Sequence, residues 1–126
     1  MTENELTEIR KEYNNQNVHL MVGFNRRFAP LVQTIENKIS KGAPKSINYR
    51  INAGYLSREH WAQDRDIGGG RIIGEVCHFI DLASFIAGSK AKNINSFALQ
   101  NNPQIDDSVI INIEYMNGSI ASISYF

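Results

Sequence analysis

Two helical segments, each preceded by a strand-like run, followed by three further strand-like runs, predict an α+β fold with a largely antiparallel sheet. Three observations carry this. Arg71–Ala87 places Ile72, Ile73, Val76, Phe79, Ile80, Ala83 and Ile86 on one broad face at roughly 100° per residue, a helix that needs a sheet beneath it. Asn93–Leu99, Ser108–Tyr115 and Ser119–Phe126 are strand-like, and Met116-Asn117-Gly118 supplies a hairpin turn because Asn-Gly tolerates positive φ. Ser46–Ala53 alternates Ile47, Tyr49 and Ile51 with polar neighbours, the pattern of a half-exposed strand.

The remaining elements follow in order. Thr2 and Glu5 have capping-box spacing ahead of a helix with a thin Leu6–Ile9 stripe. Val18–Phe24, VHLMVGF, is a short apolar run with β-branched residues, expected as a buried strand with Asn25, Arg26 and Arg27 at its exit. Pro30 suits a first helical turn; Leu31, Ile35 and Ile39 recur at helical spacing, and Gly42 and Pro44 end that helix. Gly54–Ile67 is polar, aromatic and irregular around Trp61, and Gly88 is the expected stop of the Arg71–Ala87 helix. Both chain ends are expected to be cuts in a longer protein, since Phe126 falls inside a strand.

A chain of 126 residues is one domain in length, short for a complete cofactor-using enzyme. Its 42% hydrophobic and 21% charged residues are ordinary for a globular protein. Thirteen basic residues cancel thirteen acidic ones, so no overall field favours nucleic acid or anionic lipid. One cysteine rules out an intrachain disulfide, and the polar N-terminus is no signal peptide, so a cytoplasmic location is expected.

Chemistry concentrates in DIGGGRIIGEVCHFID, residues 66–81. Arg71, Glu75, His78 and Asp81 fall on the stripe opposite the apolar face, with Gly74 among them. Glu75 and His78 are three apart, as are His78 and Asp81, so each pair can touch. A carboxylate beside an imidazole favours its charged form and fixes its orientation, which suits an acid/base near neutral pH. An exposed helix face carrying ordinary solvated charges, with Arg71–Glu75 as an i,i+4 pair, is the competing reading. One histidine with two acids lacks the fuller ligand set of a zinc site, so no metal is expected. Cys77 points away from His78 and is expected as a buried small hydrophobe. The spacing of Gly68, Gly70 and Gly74 imitates a dinucleotide fingerprint, but WAQDRDI before it is no buried strand. The glycines are expected to form a tight loop against a ligand or a neighbouring element.

VGFNRRFAP (Val22–Pro30), INYRINAG (Ile47–Gly54), HWAQD (His60–Asp64) and IGGGRIIGEVCHFIDL (Ile67–Leu82) together resemble the Gfo/Idh/MocA family, the relatives of glucose-fructose oxidoreductase and inositol dehydrogenase. The wording is closest to a subgroup from bacterial surface-polysaccharide clusters. The resemblance implies a C-terminal α/β domain with an open sheet over residues 29–126, and the last helix and strand of a Rossmann domain in residues 1–28. It also implies hydride exchange between NAD or NADP and a sugar, nucleotide sugar or polyol, with the dinucleotide loop and a Glu-Lys-Pro lysine upstream of Met1. None of the cofactor is expected to bind this piece alone.

By the same resemblance, His78 matches the proton donor/acceptor, with Glu75 as its supporting catalytic partner. Family sequences commonly carry an aspartate four residues before that histidine, where this chain has Gly74. Asn25 and Arg27 match the motif bordering the cofactor, and Trp61, Arg71 and Asp81 match substrate-side positions. Trp61 read by itself is a core anchor. The expected partners are a sugar or nucleotide-sugar substrate, the upstream Rossmann domain and a second copy through the sheet, with no nucleic acid or membrane. The alternative function is a non-catalytic sugar-binding or oligomerisation module.

Overall fold

Strict alternation along two strands builds the core. In the computed structural model, β3 (Val109–Tyr115) buries Val109, Ile111, Ile113 and Tyr115, and β4 (Ile120–Tyr125) buries Ala121, Ile123 and Tyr125. Successive side chains of a strand point to opposite faces, so all seven residues share one face of the sheet. Onto it α3 (Cys77–Ala87) lays Phe79, Ala83 and Ala87, with Val76 just ahead of the helix. The structure describes residues 2–16, 18–64, 66–99 and 108–126; Met1 of the expected first helix and Arg65 of the Trp61 loop lie outside these.

The sheet has the order β1-β4-β3-β2, with β1 at Ser46–Ile51 and β2 at Ala91–Ala98. β2, β3 and β4 are antiparallel neighbours, while β1 joins β4 in parallel from Ser46 opposite Ile120 to Ile51 opposite Tyr125. The α+β class and the largely antiparallel sheet hold, and the sheet is mixed because β1 adds a parallel edge. Ile47, Tyr49 and Ile51 are half-buried against the same core. The Met116–Gly118 turn forms as expected. Gly118 N–H donates to the Tyr115 carbonyl, and the Asn117 side chain both accepts from Ser119 N–H and donates to the Ala87 carbonyl. That last bond ties the hairpin to the end of α3, where Gly88 closes the helix at φ 66°.

The opposite face of the sheet is open. Asn48, Ser122, Asn112 and Asn95 lie in register across all four strands there, beside the exposed Ile110, Ile120 and Phe97.

The N-terminal elements pack less. α1 (Glu3–Asn15) begins with the expected capping box: Glu5 N–H donates to Thr2 Oγ1, and Thr2 N–H donates to the Glu5 carboxylate. None of its residues is buried. Residues 18–24 form no strand, and Val18, Leu20, Met21 and Val22 are more than half exposed. An apolar run becomes a strand only where a neighbour supplies the ladder hydrogen bonds, and no described residue does so here. A 3₁₀ turn (Asn25–Phe28) then leads into α2 (Pro30–Lys38), with Pro30 in its first turn.

Ile123 is fully buried at the centre of this core. Ile123→Ala is expected to cost about 2–5 kcal/mol in urea unfolding; a loss below about 1 kcal/mol would contradict the assignment of the helix-covered face as the core.

Candidate functional site

The glycine run is shaped by the loop before it. Asp64 draws the chain into a tight loop, its carboxylate accepting from the backbone of Asp66 and Ile67 and its carbonyl from Gly68 and Gly69. Gly70 N–H then donates to the Ala62 carbonyl at 3.0 Å. A Cβ on Gly68 would lie 2.5 Å from Ala62 Cα and 2.6 Å from the Trp61 carbonyl oxygen, so only glycine fits. The close approach the glycines permit is therefore to a neighbouring backbone segment, the 3₁₀ turn Trp61–Gln63.

The helix that follows does not begin as an α-helix. Ile72–Val76 is a π-helix, and regular α-helix starts only at Cys77. An i→i+5 turn advances each residue by roughly 80° instead of about 100°. Over five residues this swings Arg71 about a quarter turn towards the core relative to an uninterrupted helix. The burial pattern follows the rotation. Ile73, expected on the apolar face, is 57% exposed, whereas Arg71, expected on the polar stripe, is only 5% exposed.

Arg71 is held there on several sides. One guanidinium nitrogen donates to the Gly54 carbonyl at 2.7 Å, the other end faces the Glu75 carboxylate at 3.4 Å, and the group stacks 5.2 Å from the Tyr125 ring centre. The Tyr125 hydroxyl in turn donates to Glu75 at 2.5 Å. Three elements thus meet at one cluster: the chain leaving β1, the π-turn and the last residue of β4. Burial by itself would push the Glu75 carboxyl up, but the hydrogen bonds from Tyr125 and Arg71, with the charges of Arg71 and Arg26, outweigh it and hold it below its ordinary value. Burial, reinforced by the adjacent Glu75 carboxylate, pushes the Tyr125 phenol well above its ordinary value.

His78 sits in the first turn of α3, beyond the π-turn. Its ring meets Phe24 edge-on at 5.5 Å, and its Nδ1 is buried with no hydrogen-bond partner. Neither expected carboxylate contact to that nitrogen forms. Glu75 has rotated to Tyr125, and Asp81 is bound in a two-point pair by Arg27, whose Nε donates to Asp81 Oδ2 at 3.0 Å and whose Nη2 donates to Oδ1. That pair fastens the Asn25–Phe28 turn to α3, with Arg27 also over Phe85 at 5.3 Å and Arg26 over Phe79 at 4.1 Å.

Of the other expected site residues, Asn25 is exposed on the same turn. Trp61 is 63% exposed, its ring against His60, so it is no core anchor. Cys77 is half-buried, and burial raises its thiol, the opposite of what a nucleophile needs. Tyr125 and Gly54 went unnoticed in the sequence. The alternation of Ala121, Ile123 and Tyr125 puts Tyr125 on the core face, but its meeting with Glu75 depends on the π-turn rotation.

The family model of the GFO/IDH/MocA C-terminal domain matches residues 35–126. Comparison with curated proteins gives no match. Among solved structures, an NAD-binding protein from Listeria innocua aligns with TM-score 0.78 and 23% identity over 98% of this chain and 38% of its own. UDP-N-acetylglucosamine 3-dehydrogenase from Acidithiobacillus ferrooxidans aligns with TM-score 0.74 and 18% identity over 97% and 36%. Levoglucosan dehydrogenase, in complex with NADH and levoglucosan, aligns with TM-score 0.75 and 23% identity over 96% and 37%. The chain thus spans less than two fifths of the length of each of these three.

Two expectations follow from the geometry. Gly68→Ala should destabilise the chain by about 2 kcal/mol or more, because the new methyl has no space. Gly74→Ala meets only the Gly68 carbonyl oxygen at 3.8 Å and should be neutral or slightly stabilising; equal effects in denaturant unfolding would contradict this. The second concerns pH. The lowered Glu75 carboxyl contributes stability above its ordinary value of 4.5 that is lost as pH falls through the depressed one. The raised Tyr125 phenol contributes stability below its ordinary value of 10.0 that is lost as pH rises through the elevated one. Glu75→Gln should therefore flatten the acid limb of the stability curve, and ultraviolet titration against Tyr125→Phe should show no Tyr125 phenolate until alkaline unfolding. A Tyr125 signal already at pH near 10, or an unchanged acid limb, would contradict the assignment.

Proposed function

Because the chain belongs to the GFO/IDH/MocA family, with the C-terminal domain over residues 35–126, we propose that it is the substrate-side part of an NAD(P)-dependent oxidoreductase acting on a sugar, nucleotide sugar or polyol. One observation carries the assignment of chemistry: His78 stands at the start of α3 directly after the π-turn, its ring edge-on to Phe24 and bound by neither Glu75 nor Asp81, which are taken by Tyr125 and Arg27. Because Nδ1 is buried, proton exchange with a substrate hydroxyl or carbonyl falls to the other ring nitrogen, Nε2. His78 is the proposed acid/base. The nicotinamide, when bound, accepts or delivers the hydride at the same carbon.

The residues of this chain fit the edge of such a cofactor and not its phosphates. Gly68, the first of the glycine run, is packed on the Trp61–Gln63 turn, and among the described residues no buried strand precedes the run as a dinucleotide loop requires. Asn25 is the exposed group of the strand-exit motif and the proposed cofactor-edge contact. Arg27 acts there through Asp81, holding the Asn25–Phe28 turn on α3. Trp61, exposed beside the glycine loop, is the proposed substrate-side wall. Arg71 and Asp81, paired within the protein, serve the substrate side by holding its walls in place. Phosphate binding and most of the rate enhancement belong to an upstream Rossmann domain, so the 126 residues alone are expected to be inactive. The open face of the sheet, with Phe97 and Ile120 exposed, is the proposed seat of a second copy.

The second reading, a non-catalytic sugar-binding or oligomerisation module, is favoured by the absence of a carboxylate on His78 Nδ1. The two are separated in the full-length protein, assayed with NAD and NADP against UDP-N-acetylglucosamine, myo-inositol and levoglucosan. Turnover that falls roughly 100-fold or more in His78→Gln supports the first. Turnover unchanged in His78→Gln removes His78 from the mechanism, and saturable sugar binding without turnover supports the second.

A further inference from the structure

An imidazole with no hydrogen bond on its buried nitrogen is oriented only by packing and by the backbone that carries it. For His78 the packing contact is the Phe24 ring edge, and the backbone is the first turn of α3, entered through the π-turn. A π-turn is rare and carries one residue more than an α-helical turn; relaxation towards α-helix would shed that residue into the loop before it. The body of α3 cannot take up this change, because Phe79, Leu82, Ala83 and Ala87 are buried. Val76 is fixed in the core as well, so the change would fall on residues 71–75, the turn that precedes His78.

The lock is the cluster on the π-turn. Tyr125, fully buried as the last residue of β4, donates to Glu75 at 2.5 Å. Arg71, at the other end of the π-turn, is anchored to the Gly54 carbonyl at 2.7 Å and paired with the same carboxylate. Both ends of the π-turn are therefore clamped to the sheet, one through a buried phenol and one through the chain leaving β1. Accordingly we infer that Arg71 and Tyr125 are positioning residues: acting through Glu75, they hold the π-turn and so set the orientation of His78. This deepens the reading of His78 as the acid/base and rests on it for its functional meaning, while the physical coupling stands on the geometry alone.

The test separates the two. In the 126-residue chain, the imidazole resonances of His78 are followed by NMR, with His19→Gln and His60→Gln assigning the other histidines. Tyr115 is the control: it is equally buried on the same face, and its hydroxyl lies 3.3 Å from Ser84 Oγ, away from the π-turn. Tyr125→Phe and Glu75→Gln are expected to displace or broaden the His78 signals, and Tyr115→Phe to leave them in place, even where it lowers the melting temperature. His78 signals that stay put in Tyr125→Phe, or that move equally in Tyr115→Phe, overturn the inference. Should Tyr125→Phe fail to fold, Glu75→Gln alone decides by the same two outcomes. In the full-length enzyme, Tyr125→Phe should lower kcat several-fold with KM little changed. Absence of turnover in the parent would instead count against the catalytic reading, leaving the NMR result intact.

Discussion

A guanidinium taken out of water must be given hydrogen-bond acceptors and a compensating charge, or the fold that buries it will not persist. Arg71, 5% exposed, imposes that requirement where the chain leaving β1, the π-turn and β4 meet. It obtains a carbonyl from the chain leaving β1, a carboxylate from the π-turn and an aromatic face from β4. Arg71 flanks the π-turn and Glu75 lies within it; the turn directs both towards the sheet, and the glycine loop that leads into it is folded down on Ala62. The glycines, the π-turn and the buried cluster are one construction.

That construction explains why the polar stripe of the helix does not act as one site. Its charges divide between two structural jobs, Arg71–Glu75 towards the sheet and Asp81 towards Arg27 on the Asn25–Phe28 turn. His78 is left between them without a carboxylate partner on Nδ1. A Cβ on Gly74 would meet only the Gly68 carbonyl oxygen, at 3.8 Å, so the space beside the helix is open there.

Much of the architecture was legible in the residue pattern. The strand-like runs Ser108–Tyr115 and Ser119–Phe126 identified β3 and β4, Asn117-Gly118 the hairpin, Thr2 and Glu5 the first cap, and Pro30 the second helix, because each depends on local geometry. The parallel pairing of β1 with β4 was not legible, since pairing partners are set by the whole fold. The 18–24 run is as apolar as a buried strand and pairs with nothing described, because composition does not state who the neighbour is. On the helix, periodicity at roughly 100° per residue put Val76, Phe79 and Ala83 on the core face but misplaced Arg71 and Ile73. A five-residue π-turn has no signature in hydrophobic spacing, so the inward turn of Arg71 and Glu75, and the role of Tyr125, could not be foreseen.

The central claim is that Glu75 and Tyr125 are energetically joined across the helix–sheet boundary. A double-mutant cycle of Glu75→Gln and Tyr125→Phe, read by urea unfolding at neutral pH, measures that coupling directly. A hydrogen bond to a charged group whose carboxylate remains partly solvated is expected to give about 1 kcal/mol. Additive effects, with a coupling near zero, would contradict the account.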